Sequence, residues 1–156
     1  MGLGFFVTAL SVVALDQLSK VLIRANMSLG QSIPDEGPFQ IKYVTNVGGA
    51  FGIFGNQGFL IMVTALTGIA AILLYAHHPL FNRMVAKVAL GLVLGGSIGN
   101  LIDRAFRGKV TDFIDVGDWP VFNLADSAIT VGVILILYYL IFLARRQRQP
   151  HESRDD

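Results

Sequence analysis

The stretch Val110–Ile129, VTDFIDVGDWPVFNLADSAI, joins an acidic segment to the start of a long apolar one. It holds four of the 11 acidic residues of the chain, Asp112, Asp115, Asp118 and Asp126, although only 15% of all residues are charged. Asp126 already falls within the apolar pattern. Because an ionisable side chain inside a membrane segment is costly, it marks a candidate functional site.

The composition places the chain among membrane proteins. Of its 156 residues 53% are hydrophobic, and the mean hydropathy is +0.60, well above the usual range of soluble proteins. A net charge of +1 argues against a nucleic-acid surface, and the absence of cysteine excludes disulfides and thiolate nucleophiles. We therefore expect a single integral membrane domain over residues 1–156, in contact with membrane lipids and without nucleic-acid partners.

Four segments are long and apolar enough to cross a bilayer, at about residues 3–23, 59–76, 85–102 and 122–144. The first lacks the basic start and the cleavage site of a secretory signal, so we interpret it as a retained helix. The third carries Gly91, Gly95 and Gly99 at four-residue spacing, with Gly96 beside them, which predicts close packing against a neighbouring helix. The tail at residues 149–156 has the composition of a disordered segment.

An even number of helices puts both termini on one side of the membrane. The cluster Arg145-Arg146-Gln147-Arg148 after the fourth helix favours the cytoplasmic side. The segments at about residues 24–58 and 103–121 would then both face outward.

The first outward segment, at about residues 31–57, has the pattern of a small β-sheet. Phe39, Ile41 and Tyr43 alternate with polar residues, and the residues Asn46–Gly49 offer a hairpin turn before a second apolar run at 50–54. Such a sheet could bind an extended peptide by edge pairing or could serve only as a cap over the helices. The fold class predicted is thus a mainly α membrane protein with four transmembrane helices and a small extracytoplasmic sheet.

Several polar residues lie at helical spacing within the apolar segments. Asp16 and Lys20 are four residues apart, which favours a structural ion pair over catalysis. Arg104 lies one turn beyond Asn100 and either binds a carboxylate or substrate carbonyl or extends to the membrane surface. Asn123 suits the N-cap of the fourth helix.

Asp112 and Asp126 form the candidate catalytic pair. If the third and fourth helices are antiparallel neighbours, the loop between them brings Asp112 near Asp126, which lies about one turn inside the fourth helix. Two carboxylates sharing a proton can act as acid and base in peptide hydrolysis without a metal or a cofactor. The alternative is a solvated acidic loop beside one carboxylate stabilised by the helix dipole.

Five motifs, in this order, make the chain resemble bacterial lipoprotein signal peptidase (signal peptidase II), over roughly residues 12 to 135. They are Asp16-Gln17-Leu18-Ser19-Lys20, Asn46-Val47-Gly48-Gly49-Ala50-Phe51, Gly99-Asn100-Leu101-Ile102-Asp103-Arg104, Val110-Thr111-Asp112-Phe113 and Phe122-Asn123-Leu124-Ala125-Asp126-Ser127-Ala128.

The resemblance implies an aspartyl endopeptidase that cuts diacylglyceryl-modified prolipoproteins before the lipidated cysteine, without metal or cofactor. It implies Asp112 and Asp126 as the catalytic dyad, with support for substrate or dyad from Asn46, Gly48, Asn100, Arg104 and Asn123. Asp16 and Lys20 match positions that are mainly structural in the family, and the outward sheet gains weight as a substrate-binding surface. A peptide-like inhibitor such as globomycin is a further expected partner.

The chain departs from the family pattern in two places. Gly49 often corresponds to alanine in the family, which should matter little, whereas a short loop between Asp112 and Asp126 would restrict any segment covering the site.

Two other classes of function compete with this hypothesis. In a small ion or proton transporter subunit, Asp16, Arg104 and Asp126 would form a relay, but relays need polar groups through the membrane midplane. In this sequence the polar groups gather toward one end of the helices. A non-enzymatic assembly factor using the glycine-rich helix would leave the two aspartates unexplained.

Overall fold

The computed structural model describes residues 2–47 and 57–148. It contains four helices, α1 (Leu3–Asn26), α2 (Gln57–Tyr75), α3 (Met84–Arg107) and α4 (Leu124–Arg148), and a short 3-10 turn, Pro79–Phe81. Three strands, β1 (Ser32–Ile33), β2 (Gln40–Asn46) and β3 (Val110–Asp115), form one antiparallel sheet in the order β1-β2-β3. The predicted fold class, a mainly α membrane protein with a small sheet, is confirmed.

The helices have the length and hydropathy of membrane spans. Within the described residues, α1, α3 and the part of α4 from Leu124 to Leu143 are long and apolar enough to cross a bilayer, and α2 contributes the shorter apolar stretch Met62–Leu74. Large apolar side chains of α1 and α4, such as Leu10 and Ile134, are exposed. A bilayer would cover this apolar surface.

Helix α3 lies between α1 and α4, and its glycines make that position possible. A Cβ on Gly91 would lie 2.8 Å from the carbonyl oxygen of Phe5, and one on Gly95 would lie 2.6 Å from that of Ala9, both in α1. A Cβ on Gly96, on another face, would overlap the carbonyl oxygen of Ala125 in α4. The prediction that the glycines pack closely against a neighbouring helix is confirmed. They allow close approach of two helices, α1 and α4.

Helix α4 covers Leu124–Arg148 rather than 122–144, and two other helices extend further than predicted on the side that carries the sheet. Helix α1 continues to Asn26 rather than ending at 23, and α3 continues to Arg107 rather than 102. Gly108 ends α3 in the left-handed region, with φ of 70°, where glycine avoids the steric cost that other residues incur. Hydropathy alone stops each prediction where polar residues begin, although the helix continues past the apolar core.

Strand β3 lies in a segment that the sequence predicts as part of a loop. Its backbone pairs with β2, with Thr111 opposite Thr45 and Asp112 opposite Val44. Strand β2 itself runs from Gln40 to Asn46, within the predicted outer β-segment. The predicted Gly48-Gly49 turn, the strand at 50–54 and the tail at 149–156 lie outside the described residues. The pairing places Asp112 on a strand that is held from both sides, since Ile114 also bridges to Phe122.

Candidate active site

A buried polar cluster lies where the ends of α1 and α3 meet β3 and the start of α4. Its members share two properties, a polar or charged side chain and a relative exposure of 5% or less: Asp16, Lys20, Asn100, Asp103, Thr111, Asp112 and Asn123. Asp126 lies next to them and is partly exposed. Buried groups of this kind require hydrogen-bond or ionic partners, and the contacts define the site.

Asn123 is the N-cap of α4 and connects the helix to the strand. Its Oδ1 accepts the backbone N–H of Asp126 at 2.9 Å, and the Asp126 Oδ2 accepts the backbone N–H of Asn123 at 3.4 Å. This reciprocal pair is a capping box with Asn and Asp in place of the usual Ser and Glu. It fixes the Asp126 side chain in the first turn of α4.

The same Asn123 side chain also contacts Asp112. Its Nδ2 donates to the Asp112 Oδ1 at 2.6 Å and to the Asn100 Oδ1 at 3.1 Å. A single fully buried carboxamide therefore accepts from the backbone of one aspartate and donates to the side chain of the other.

Burial raises the pKa of the Asp112 carboxyl above its usual 3.8, and the negative charge of Asp126 raises it further. Hydrogen bonds from the side chains of Asn123 and Asn46, together with the charge of Lys20, act in the opposite direction but do not cancel the rise. Because Asp112 is 2% exposed, desolvation of the charged form is the largest cause. Asp112 thus holds a proton more firmly than an exposed aspartate does.

Asn100 donates an amide hydrogen bond to the Asp126 carboxylate, as Asn123 does to that of Asp112. Its Nδ2 donates to the Asp126 Oδ1 at 2.7 Å, while its Oδ1 accepts from Lys20 at 3.0 Å and from Asn123. Each aspartate therefore accepts a short hydrogen bond from one of these two amides, and the two amides are bonded to each other.

Two cavities meet at Asp126. One, of about 320 Å³, is lined by Thr64, Ala65, Ser97, Asn100, Arg104, Asp126 and Ile129. The other, of about 330 Å³, is mainly apolar and is lined by Trp119, Phe122, Asp126, Ser127, Thr130 and Val131. Both are large enough to admit water and substrate groups.

Arg104 lines the first cavity, and its guanidinium interacts electrostatically with the carboxylates of Asp126, Asp112 and Asp103. Its Nε is buried and has no hydrogen-bond partner among the described residues. A buried donor without a partner is unusual in a folded protein.

The structure brings together most residues that the sequence singled out. Asp112, Asp126, Asn100 and Asn123 are linked by hydrogen bonds, Arg104 lies beside Asp126, and Asn46 bonds Asp112. Gly48 lies outside the described residues. Asp16 and Lys20 form an ion pair of 2.9 Å beneath the two amides.

Sequence reasoning missed two members of the cluster, Asp103 and Thr111, and a partly buried neighbour, Arg24. The Asp103 Oδ2 accepts the backbone N–H of Thr111 at 3.0 Å, and the Thr111 hydroxyl accepts from Arg24 at 2.9 Å. Helical spacing offered a signal for two of them, because Arg24 follows Lys20 by four residues and Asp103 follows Asn100 by three. Thr111 gave none.

Asp115, at the end of β3, has partners of its own. It lies 3.7 Å from Lys42, and it accepts the backbone N–H of Gly117 in the turn that follows β3.

A family model described as signal peptidase (SPase) II matches residues 8–142. The chain belongs to the signal peptidase II family. Lipoprotein signal peptidases from two bacteria cover almost all of it: that of Dehalococcoides mccartyi is 48% identical over 145 residues, with 90% of this chain and 91% of the relative covered. That of Moorella thermoacetica is 44% identical over 149 residues, with 94% and 99% covered.

Two solved bacterial membrane enzymes, both determined by the in meso method, have the same fold. One is 30% identical with a TM-score of 0.81 and covers 97% of this chain and 94% of its own. The other is 33% identical with a TM-score of 0.81 and covers 87% and 91%. As a signal peptidase II, the chain is a membrane-embedded protease of lipoprotein processing, and the buried cluster is its candidate active site.

Proposed function

We propose that this signal peptidase II cuts diacylglyceryl-modified prolipoproteins just before the lipidated cysteine, with Asp112 and Asp126 as the catalytic dyad. The observation that carries the proposal is the Asn123 side chain, which bonds both aspartates. Asn123 also bonds both carboxyl groups, that of Asp112 through its side-chain Nδ2 and that of Asp126 through its backbone N–H, so one residue holds the two groups in fixed relation, as acid–base chemistry requires.

The two aspartates differ in environment, and this assigns their roles. Asp112 is 2% exposed, and burial raises its pKa, which favours Asp112 as the member of the pair that keeps the proton. Asp126 faces both cavities, so it is the carboxylate that water reaches. Pairs whose environments differ in this way divide into acid and base.

Hydrolysis follows from these roles. Asp126 takes a proton from water as the water oxygen bonds to the scissile carbonyl carbon, and Asp112 gives its proton to the carbonyl oxygen, which produces a neutral tetrahedral diol. Asp126 then passes its proton to the amide nitrogen, while Asp112 takes one back from a hydroxyl of the diol. The C–N bond breaks, the signal peptide leaves with a carboxyl end, and the lipidated cysteine gains a free amino group.

The surroundings of the dyad suit a lipidated peptide. The guanidinium of Arg104, which lines the polar cavity, gives that cavity a positive charge suited to a peptide carbonyl, and the apolar cavity beside Trp119 suits hydrocarbon. Strand β2 lies beside β3 and gives an extended peptide a surface at the membrane boundary. A peptide-like inhibitor such as globomycin would compete for the same space.

The site has a direction in the membrane under this proposal. With both termini cytoplasmic in the bacterial inner membrane, the sheet and the dyad lie near the periplasmic face. A signal peptide crossing the bilayer would present its cleavage point at that depth.

The test uses purified protein in detergent with a diacylglyceryl-modified prolipoprotein, and cleavage is followed by gel mobility and mass spectrometry. Asp112→Asn and Asp126→Asn should each lower kcat by about 10²- to 10⁴-fold, the usual loss on removing a general acid or base. Asp115→Asn, at the end of the same strand and bonded to Lys42 and Gly117, is the matched control and should retain activity. Full activity in either dyad variant would refute the assignment.

A further inference from the structure

Lys20 occupies an unusual position beneath the candidate dyad. Its ammonium group is fully buried, and three acceptors surround it, the Asp16 Oδ2 at 2.9 Å, the Asn100 Oδ1 at 3.0 Å and the Asp103 Oδ2 at 3.4 Å. A lysine ammonium has three N–H donors and no acceptor. All three donors therefore have partners, one on its own helix and two on α3.

Two of these partners hold the backbone next to the two aspartates. The other oxygen of Asp16 accepts the backbone N–H of Ala125, the residue before Asp126, at 3.0 Å. The same Asp103 oxygen that faces Lys20 accepts the backbone N–H of Thr111, the residue before Asp112, at 3.0 Å. One cation thus connects to the backbone beside both members of the dyad.

The third partner, Asn100, contacts Asp126 directly. A carboxamide can turn over and exchange its oxygen for its nitrogen, and the two orientations differ only in their partners. Because Lys20 has only donors to offer, it requires the Asn100 oxygen to face it. The amide nitrogen then points at the Asp126 Oδ1, where it donates at 2.7 Å.

We propose that Lys20 is a positioning residue, which sets the relative placement of Asp112 and Asp126 and the orientation of the Asn100 amide. The inference rests on the proposed function of the dyad and goes beyond a structural ion pair between Asp16 and Lys20. Under this proposal the ammonium group of Lys20 affects the rate of the chemical step by placing other groups, in addition to stabilising α1.

The test compares Lys20→Met with the pair Lys20→Met and Asp16→Asn, which removes one positive and one negative charge together. In this double variant Asp16 no longer carries a charge, and Asp103 keeps Arg24 at 3.6 Å and Arg107 at 3.9 Å, so no buried carboxylate is left without a cation. We call it the charge-balanced pair, and it replaces Lys20→Met in the test if the single variant does not fold. We expect kcat of the folded protein to fall by about 100-fold, the size of effect that a misplacement of about 1 Å produces, with KM unchanged.

A double-mutant cycle separates positioning from stability. Asn100→Ala is measured alone and together with the charge-balanced pair. If Lys20 acts in part through Asn100, the combined fall in kcat is smaller than the product of the separate falls. Tyr139→Phe is the control, because it loses a hydrogen bond to the Leu80 carbonyl remote from the dyad, and its effect on kcat should be absent in either background.

The outcomes are distinct. Wild-type kcat in the charge-balanced pair, or effects that simply multiply with those of Asn100→Ala, would overturn the positioning role while leaving the dyad intact. Activity retained in Asp126→Asn would instead remove the proposed function on which the inference rests.

Discussion

Replacing Asn123 tests the active-site geometry most directly, because this one side chain has two separable tasks. Its oxygen caps α4 by accepting the backbone N–H of Asp126, and its nitrogen donates to Asp112 and Asn100. Serine is as good an N-cap as asparagine but has no amide to reach Asp112. Asn123→Ser therefore keeps the cap and loses the connection, whereas Asn123→Ala loses both.

The expected stabilities follow from the contacts. Loss of the cap costs about 1 kcal/mol, and a buried carboxyl that loses one of its hydrogen bonds costs roughly 1 to 3 kcal/mol. Asn123→Ala should then lower the free energy of unfolding by roughly 2 to 4 kcal/mol. Asn123→Ser should be more stable than Asn123→Ala by about 1 kcal/mol.

Activity should not follow stability. Both variants release Asp112 from the amide that links it to α4, so both should lose about 100-fold in kcat. The measurement combines unfolding in detergent with cleavage of a lipidated prolipoprotein at equal concentrations of folded enzyme. If activity returned in Asn123→Ser in proportion to its stability, the amide would be only a cap, and the reasoning from the shared hydrogen bonds would be wrong.

Two further predictions concern stability. The pKa of Asp112 is raised in the folded protein above 3.8, so folding favours the protonated form of this carboxyl. The free energy of unfolding is therefore highest below pH 3.8 and falls as the pH rises from there through the raised pKa. Asp112→Asn should therefore gain stability relative to the native chain as pH rises toward neutral, by about 1.4 kcal/mol for each pH unit between 3.8 and the raised pKa. A difference in unfolding free energy between the variant and the native chain that stays constant across pH would contradict this. Gly91→Ala, whose Cβ would meet the Phe5 carbonyl at 2.8 Å, should lose about 1 to 3 kcal/mol of stability. Gly68→Ala in α2, whose Cβ would meet no atom of the described residues within 4 Å outside its own helix, should lose none and gain up to about 1 kcal/mol from helix propensity.

The sequence by itself determined the features that depend on local periodicity. Runs of apolar residues fix helices in a bilayer because each helix satisfies its own backbone hydrogen bonds, and four-residue glycine spacing puts Gly91 and Gly95 on one face whatever lies opposite. The same spacing pairs Asp16 with Lys20 within one helix. Five ordered motifs were enough to predict the family, which the match over residues 8–142 and the bacterial relatives confirm.

Only the tertiary structure decided how the polar residues share their partners. Strand β3 contains β-branched and aromatic residues that favour a strand, but its partner β2 lies far away in sequence, and only the fold shows that the two pair. The contacts of Lys20 with Asn100, and of Asp16 with Ala125, join positions 80 and 109 residues apart. Such contacts depend on how helices pack rather than on the period of any one of them, which is why Asp16 and Lys20 look like an isolated pair in the sequence and lie beneath both candidate catalytic aspartates in the fold.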